Sequence, residues 1–119
     1  MANPVVHWEI GGPNGEQLQA FYRDLFGWKV QVMEEMGNYG LVDHEDEGIG
    51  GGIVQTEEGA PPTMVTIYIQ VDDLQSYLNK AESLGGKTIT PPLNISDEIG
   101  SAAMFSDPQG NIIGLFQSA

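Results

Sequence analysis

Residues 5–27 read VVHWEIGGPNGEQLQAFYRDLFG, and residues 64–86 read MVTIYIQVDDLQSYLNKAESLGG. Both stretches begin with alternating apolar and polar residues, which is typical of a strand with one packed face. Both continue with apolar residues at helical spacing and end in glycine, which is typical of an amphipathic helix and its stop. His7 corresponds to Thr66 and Gly27 to Gly86, each at an offset of 59 positions (66 − 7 and 86 − 27). One strand–helix unit therefore occurs twice.

Each copy carries its own start signal and apolar face. Asn14 is a predicted helix cap with Gln17 three residues later, and Asp72 is the predicted cap of the second copy. In the strand of the second copy, Val65 and Ile67 are predicted to lie on the packed face. The apolar face of the first helix is predicted to consist of Leu18, Phe21, Tyr22 and Leu25, and that of the second of Leu74, Tyr77, Leu78, Ala81 and Leu84.

Three strand candidates follow each helix. They are WKVQVM, NYGLVD and GIGGGIVQ in the first half, and KTITPP, SAAMFSD and NIIGLFQ in the second, with DPQG as a tight turn before the last. The connector TEEGAPPT separates the halves. The sequence therefore predicts an α+β fold in which one domain, residues 1–119, consists of two βαβββ modules, residues 1–57 and 63–119.

Composition excludes several classes of partner. The chain has a net charge of −13 with only four lysine and arginine residues, too few cations for a nucleic-acid surface or an anionic membrane. No apolar run approaches the ~20 residues of a membrane span, and no signal peptide is visible. The absence of cysteine excludes thiolate metal sites and agrees with a cytoplasmic location. The acidic run DHEDEG around His44 has consecutive carboxylates, which predicts a solvated loop rather than a calcium loop.

The segments VVHWEI, AFYRDLFGW, GIGGG, YIQVDDL, AESLGGK and FSDPQGNIIGLF resemble the vicinal oxygen chelate superfamily. That superfamily includes glyoxalase I, extradiol dioxygenases and the fosfomycin- and bleomycin-resistance proteins. The resemblance covers most of the chain and implies a glyoxalase-like fold, in which two βαβββ modules form curved mixed sheets around a cleft. It also implies a small-molecule ligand, which can be cationic as for the bleomycin-resistance proteins, and a homodimer. The charge of −13 agrees with a cationic ligand.

Metal-dependent members of the superfamily take one ligand from each of the first, fourth, fifth and eighth strands. The resemblance puts His7 on the first position, a residue of 51–55 on the fourth, Thr66 on the fifth and Gly114 on the eighth. One of four ligands remains, and catalytic metal ions normally keep three protein ligands. We therefore expect no metal cofactor. The alternative is a divalent metal at His7 assisted by Glu9, which would support a lyase, isomerase or dioxygenase.

Strand alternation and the implied cleft together give a set of candidate binding residues. His7 is predicted to be a hydrogen-bonding residue of the cleft, with a structural pair between His7 and Glu9 and a role as a base as the alternatives. Gly114 and the GIGGG run are predicted to leave room for a ligand. No set of nucleophile, base and orienting group is visible, so the catalytic residues are unknown and it is uncertain whether the protein is an enzyme. The predicted ligand-binding cleft consists of His7, Glu9, Tyr39, Thr66, Tyr68, Gln70, Gly114 and Phe116.

Overall fold

A computed structural model of the protein describes residues 2–43 and 48–119, so the predicted solvated loop around His44 lies outside the described residues. The prediction of an α+β fold in which βαβββ occurs twice is confirmed. Neither helix of the described chain is long and apolar enough to cross a membrane. The first half contains β1 (Val5–Gly12), α1 (Gly15–Phe26), β2 (Val30–Met33), a 3-10 turn (Glu34–Met36), β3 (Tyr39–Val42) and β4 (Gly51–Gln55), and the second half contains β5 (Met64–Gln70), α2 (Leu74–Ser83), β6 (Lys87–Ser96), β7 (Gly100–Ser106) and β8 (Ile112–Ser118).

The chain forms two compact units. The first unit is His7–Thr66, and the second is Met1–Val6 together with Ile67–Ala119. Each unit therefore includes a short piece of the other half's first strand. In the second unit, the residue just before that strand is also bonded: the backbone N–H of Gln70 donates to the carbonyl of Pro4 at 2.9 Å. The boundaries 1–57 and 63–119 of the sequence modules stay a prediction.

The first unit has the strand order β2-β3-β4-β1. Strand β4 pairs antiparallel with β3 and parallel with β1, so it lies between them. Helix α1 packs on one face of these strands through the buried side chain of Gln19. The Gln19 amide Nε2 donates to the carbonyls of Ile53 at 2.9 Å and Asn38 at 3.1 Å. A polar side chain therefore fixes the helix to β4 and to the start of β3.

The packed face of α1 differs from the predicted one. Leu18 and Tyr22 face the sheet as expected, but Phe21 and Leu25 are more than half exposed (56% and 57%). The buried positions are instead Gly15 and Gln19. The prediction was wrong because it counted only apolar residues, whereas the helix docks through a glycine and a hydrogen-bonded glutamine.

An aromatic cluster lies beside α1 in the first unit. The rings of Tyr22 and Trp28 are stacked at 5.6 Å with an angle of 13°, and Phe26 and Trp8 lie 5.1 Å and 5.3 Å from Trp28. A β-carbon on Gly51 would overlap the Trp8 ring, so the glycine lets this tryptophan lie flat across β4. Trp8, Tyr22 and Trp28 are half-buried in this cluster, whereas Phe26 is 58% exposed.

The second unit has the strand order β5-β8-β7-β6, with β5 and β8 parallel and the other pairs antiparallel. The core residues shared by α2 and its sheet are Val71, Leu74, Leu78, Ala103 and Leu115. Leu84, which was predicted to pack, is 69% exposed because it lies at the C-cap of α2, after the last helical turn.

Fewer residues of β5 are packed than the alternation of apolar and polar residues predicts. Val71 is buried and Ile69 packs against the core of α2. Val65 and Ile67 are exposed (79% and 37%), contrary to the prediction, since the core beneath α2 includes Ile69 and Val71 but neither of these two residues. Alternation identifies which residues share a face but not how far a helix extends along it.

The N-termini of both helices are stabilised by the same two kinds of hydrogen bond. The N-cap side chains of Asn14 and Asp73 accept from the backbone N–H three residues later, at 3.0 Å and 3.1 Å. The predicted cap Asp72 is therefore wrong by one residue, and the offset of 59 from Asn14 leads to Asp73. In addition, the side-chain oxygens of Gln55 and Gln117 accept from the first helical N–H groups, at 3.2 Å and 3.1 Å. The last strand of each half thus fixes the start of its own helix.

Replacing Gln19 by alanine is expected to lower the free energy of unfolding by about 2 kcal/mol, because the buried carbonyl of Ile53 and the partly buried carbonyl of Asn38 lose their donor. The control is Gln17→Ala on the exposed side of the same helix, for which we expect a change within about 0.5 kcal/mol. Urea unfolding measures both. Equal losses for the two variants would contradict the role given to Gln19.

Candidate functional site

Three of the predicted cleft residues form one hydrogen-bonded cluster in the first unit. The Tyr39 hydroxyl lies 2.7 Å from Nε2 of His7 and donates to Oε2 of Glu9 at 2.8 Å. His7 and Glu9 are two residues apart on β1 and therefore share a face of the sheet. We call His7, Glu9 and Tyr39 the polar cluster.

Gly52 makes the polar cluster possible. Tyr39 lies on β3 and its two partners lie on β1, so the phenol has to cross the intervening strand β4, a distance of roughly 10 Å between the outer strands. In the register, Gly52 is opposite Glu9 on one side and Leu41 on the other. A β-carbon at Gly52 would overlap the phenol of Tyr39. The ring thus lies directly on the glycine, and its hydroxyl reaches β1.

The hydrogen-bond pattern assigns the tautomer of His7. The single proton of the Tyr39 hydroxyl is donated to Glu9, so this oxygen can only accept from the imidazole. A neutral His7 therefore carries its proton on Nε2. Burial lowers the pKa of His7 below its usual value of 6.5, since a charged imidazolium loses solvation there. The neutral form is therefore the dominant one at neutral pH.

The second unit contains an analogous pair of an aromatic ring and a glycine. Tyr68 of β5 is paired with Gly114 of β8, and a β-carbon on Gly114 would overlap the Tyr68 ring. Gly114 was expected to leave room for a ligand, but it is buried and the chain's own tyrosine occupies that room. Gln70 and Phe116 form the next pair along the same two strands, and both are half-buried.

Thr66 belongs to the first unit, where it is buried with 4% of its surface exposed. The eight predicted residues are thus distributed over the two units, four in each. The structure brings His7, Glu9 and Tyr39 together directly, and it pairs Tyr68 with Gly114 and Gln70 with Phe116. The sequence did not identify Gly52 as the residue under Tyr39. The sequence feature that could have indicated Gly52 is the GIGGG run, but the run alone does not reveal which glycine is opposite Glu9.

The donor set does not fit the metal site of the metal-dependent proteins. On the fourth strand, residues 51–55 include no His, Asp or Glu, and the residue opposite Glu9 is Gly52; the eighth-strand position is Gly114, and a tyrosine ring covers each of these two glycines. Thr66 supplies only a buried hydroxyl. Within residues 2–43 and 48–119, no three His, Cys, Asp or Glu side chains come close enough to hold an ion. A ligating carboxylate at Gly52 would collide with Tyr39, so the ring and the metal ligand exclude each other.

Comparison with known proteins gives consistent results. "Putative glyoxylase CFP32" of Mycobacterium bovis is 32% identical over 91% of this chain and 46% of its own length. "Anthracycline biosynthesis protein DnrV" of Streptomyces peucetius is 25% identical over 87% of this chain and 42% of its own length. The chain thus spans less than half the length of these curated relatives. A methylmalonyl-CoA epimerase of Streptomyces coelicolor, solved in complex with 2-nitronate-propionyl-CoA, has the same fold, with a TM-score of 0.66 and 17% identity over 98% of this chain and 95% of that one.

The sequence profile that matches this chain covers residues 5–115, which is nearly its whole length. The match includes both strand–helix copies, the polar cluster and the Tyr68–Gly114 pair. The chain belongs to the Glyoxalase/Bleomycin resistance protein/Dioxygenase superfamily.

Proposed function

We propose that the protein binds a small organic molecule at the polar cluster without the help of a metal ion. The observation that carries this proposal is the position of the Tyr39 hydroxyl, which bonds both His7 and Glu9. An imidazole and a carboxylate held by a phenol have fixed directions, so they can orient the polar groups of a ligand. The phenol ring on Gly52 adds an apolar surface beside them. A few oriented polar groups next to aromatic surface are typical of small-molecule sites.

The ligand that this surface favours is planar and cationic. Aromatic faces attract both flat rings and cations, and the net charge of −13 raises the local concentration of cations. Two comparisons support an organic ligand: one relative is named for anthracycline biosynthesis, and the epimerase was solved with a CoA derivative. Both statements concern those proteins, and for this chain the ligand class is our proposal.

The alternative function is a divalent-metal-dependent lyase, isomerase or dioxygenase of the glyoxalase type. It is favoured by the superfamily and by His7, which stands on the first-strand ligand position and could also act as a base. It requires further ligands, which Gly52 and Gly114 do not supply. A homodimer and a cytoplasmic location stay predictions. The long relatives support the dimer, since each has room for a second copy of this chain.

We expect protein isolated from cells without added metal to contain far less than one equivalent of zinc, nickel or iron. The His7→Ala variant should have the same metal content, because His7 is engaged with Tyr39 rather than with an ion. Elemental analysis of both proteins provides the measurement. One equivalent of metal that disappears in His7→Ala would contradict the proposal and favour the enzyme.

The cationic dye proflavine is expected to bind at the polar cluster. Tyr39→Phe should weaken its affinity about five- to tenfold, because the hydroxyl that orients His7 and Glu9 is lost. Tyr22→Phe on α1 is the matched control and should leave the affinity unchanged. Binding should also weaken as ionic strength rises, since salt screens the long-range attraction. Equal affinities of the two variants for proflavine would mean that the dye binds outside the polar cluster. An affinity that does not change with salt would contradict the proposed electrostatic attraction of cationic ligands.

The pKa of His7 gives a pH dependence with a defined sign. The unfolded chain takes up the proton near pH 6.5, whereas the folded chain does so only at lower pH. The stability that the folded protein gains from keeping His7 neutral is therefore fully present above pH 6.5. It is lost as the pH falls from 6.5 towards the pKa of His7 in the folded protein. An NMR titration should give a midpoint below pH 6.5 for the imidazole of His7. The His7 resonance is assigned as the one that is missing in the His7→Gln variant. A midpoint above 6.5 would mean that Glu9 outweighs burial.

A further inference from the structure

The second unit contains a cavity of about 450 Å³ between α2 and its own sheet. Ile69, Phe105 and Leu115 line it from the strands, Ala81 lines it from the helix, and Leu84 lines it from the C-cap of the helix. We call this cavity the α2 pocket. Its volume lies within the range of small-molecule pockets, roughly 300–1,000 Å³. Its walls are mainly apolar, so the transfer of an apolar ligand from water into the pocket is favourable.

The duplication explains why this pocket is open. Ala81 of α2 corresponds to Tyr22 of α1, since 81 − 22 equals the repeat offset of 59. In the first unit, Tyr22 stacks on Trp28 beside the helix, and both rings are half-buried. In the second unit, Ala81 provides one methyl group, and the counterpart of Trp28 is the exposed Lys87 (87 − 28 = 59). At the two positions where the first unit has stacked rings, the second unit therefore has a methyl group and an exposed lysine.

The rim of the α2 pocket carries a cation and a carboxylate with different roles. The Asp107 carboxylate already accepts hydrogen bonds from the backbone of Gln109 and from both the backbone and the side chain of Asn111, so it serves the turn. Lys80, on the exposed side of α2, is one of only four basic residues in the chain. These hydrogen bonds do not remove the negative charge of Asp107, but Asp107 belongs to the turn after β7, whereas Lys80 belongs to α2. Lys80 is the one cation among the described residues that line the pocket, and it stands next to Ala81 on the helix wall.

We propose that the α2 pocket binds a planar aromatic molecule that carries one anionic group. The ring system lies between α2 and the sheet beside Ala81, at the position where the first unit has the ring of Tyr22, and the anionic group pairs with Lys80. This site is independent of the polar cluster, because it is formed only by residues of the second unit. The protein thus has a second ligand site of opposite charge preference.

Two dyes that differ by one charge test this proposal. Anilinonaphthalene sulfonate is aromatic and anionic, and N-phenyl-1-naphthylamine has the same rings without the sulfonate. Both should bind the folded protein with enhanced fluorescence. Ala81→Tyr restores the ring found in the first unit and should weaken both dyes by at least about tenfold. Lys80→Gln should weaken only the sulfonate, by about fivefold.

The control for charge is Lys87→Gln, which removes a lysine outside the α2 pocket and should change neither affinity. Circular dichroism and the melting temperature establish that each variant is folded. If Ala81→Tyr does not fold, NMR shifts of the unaltered protein decide: changes at Leu84, Phe105 and Leu115 on adding the sulfonate support the site. Undiminished binding to folded Ala81→Tyr, shifts confined to other residues, or equal effects of Lys80→Gln and Lys87→Gln on the sulfonate would overturn the proposal.

Discussion

Gly52 has no side chain, and the arrangement of the polar cluster depends on that. Strand β4 separates Tyr39 from His7 and Glu9, and any β-carbon at position 52 would occupy the path of the phenol. Because the path is free, the Tyr39 hydroxyl on β3 bonds the imidazole and the carboxylate of β1, two strands away. The same geometry leaves no volume for a metal-binding carboxylate at this position. A single missing side chain therefore makes the polar cluster possible and excludes a ligating side chain at position 52.

The two units show how one duplicated frame accepts different contents. The frame itself repeats closely: Asn14 and Asp73 cap the helices, and Gln55 and Gln117 bond the first helical N–H groups. The contents differ. Gln19 is buried and hydrogen-bonded where its counterpart in the second unit, Leu78, is buried in an apolar core. Backbone groups at helix ends need partners in both copies, whereas the space between helix and sheet can be filled with amides, rings or a cavity.

Sequence patterns predicted the features that depend on local periodicity. The strands, the helices and the duplication follow from residues a few positions apart, and the structure has them where they were expected. Features that depend on contacts between distant segments were harder to predict. Whether Phe21 packs or is exposed depends on where α1 rests on the sheet, and that is set by the bonds of Gln19 to Asn38 and Ile53. The glycine under Tyr39 depends on the register of β1 against β4, which no local pattern contains.

Nitrogen chemical shifts of the His7 imidazole, recorded at neutral pH on protein as isolated, test the role of Tyr39 most directly. Hydrogen bonding from His7 to Tyr39 predicts a neutral ring that carries its proton on Nε2 and shows no metal-induced shift on either nitrogen. The Tyr39→Phe variant should then show a smaller share of the Nε2–H tautomer, since the hydroxyl that accepts this proton is lost. A ring protonated on Nδ1 in the unaltered protein, or a nitrogen bound to a metal, would contradict the account.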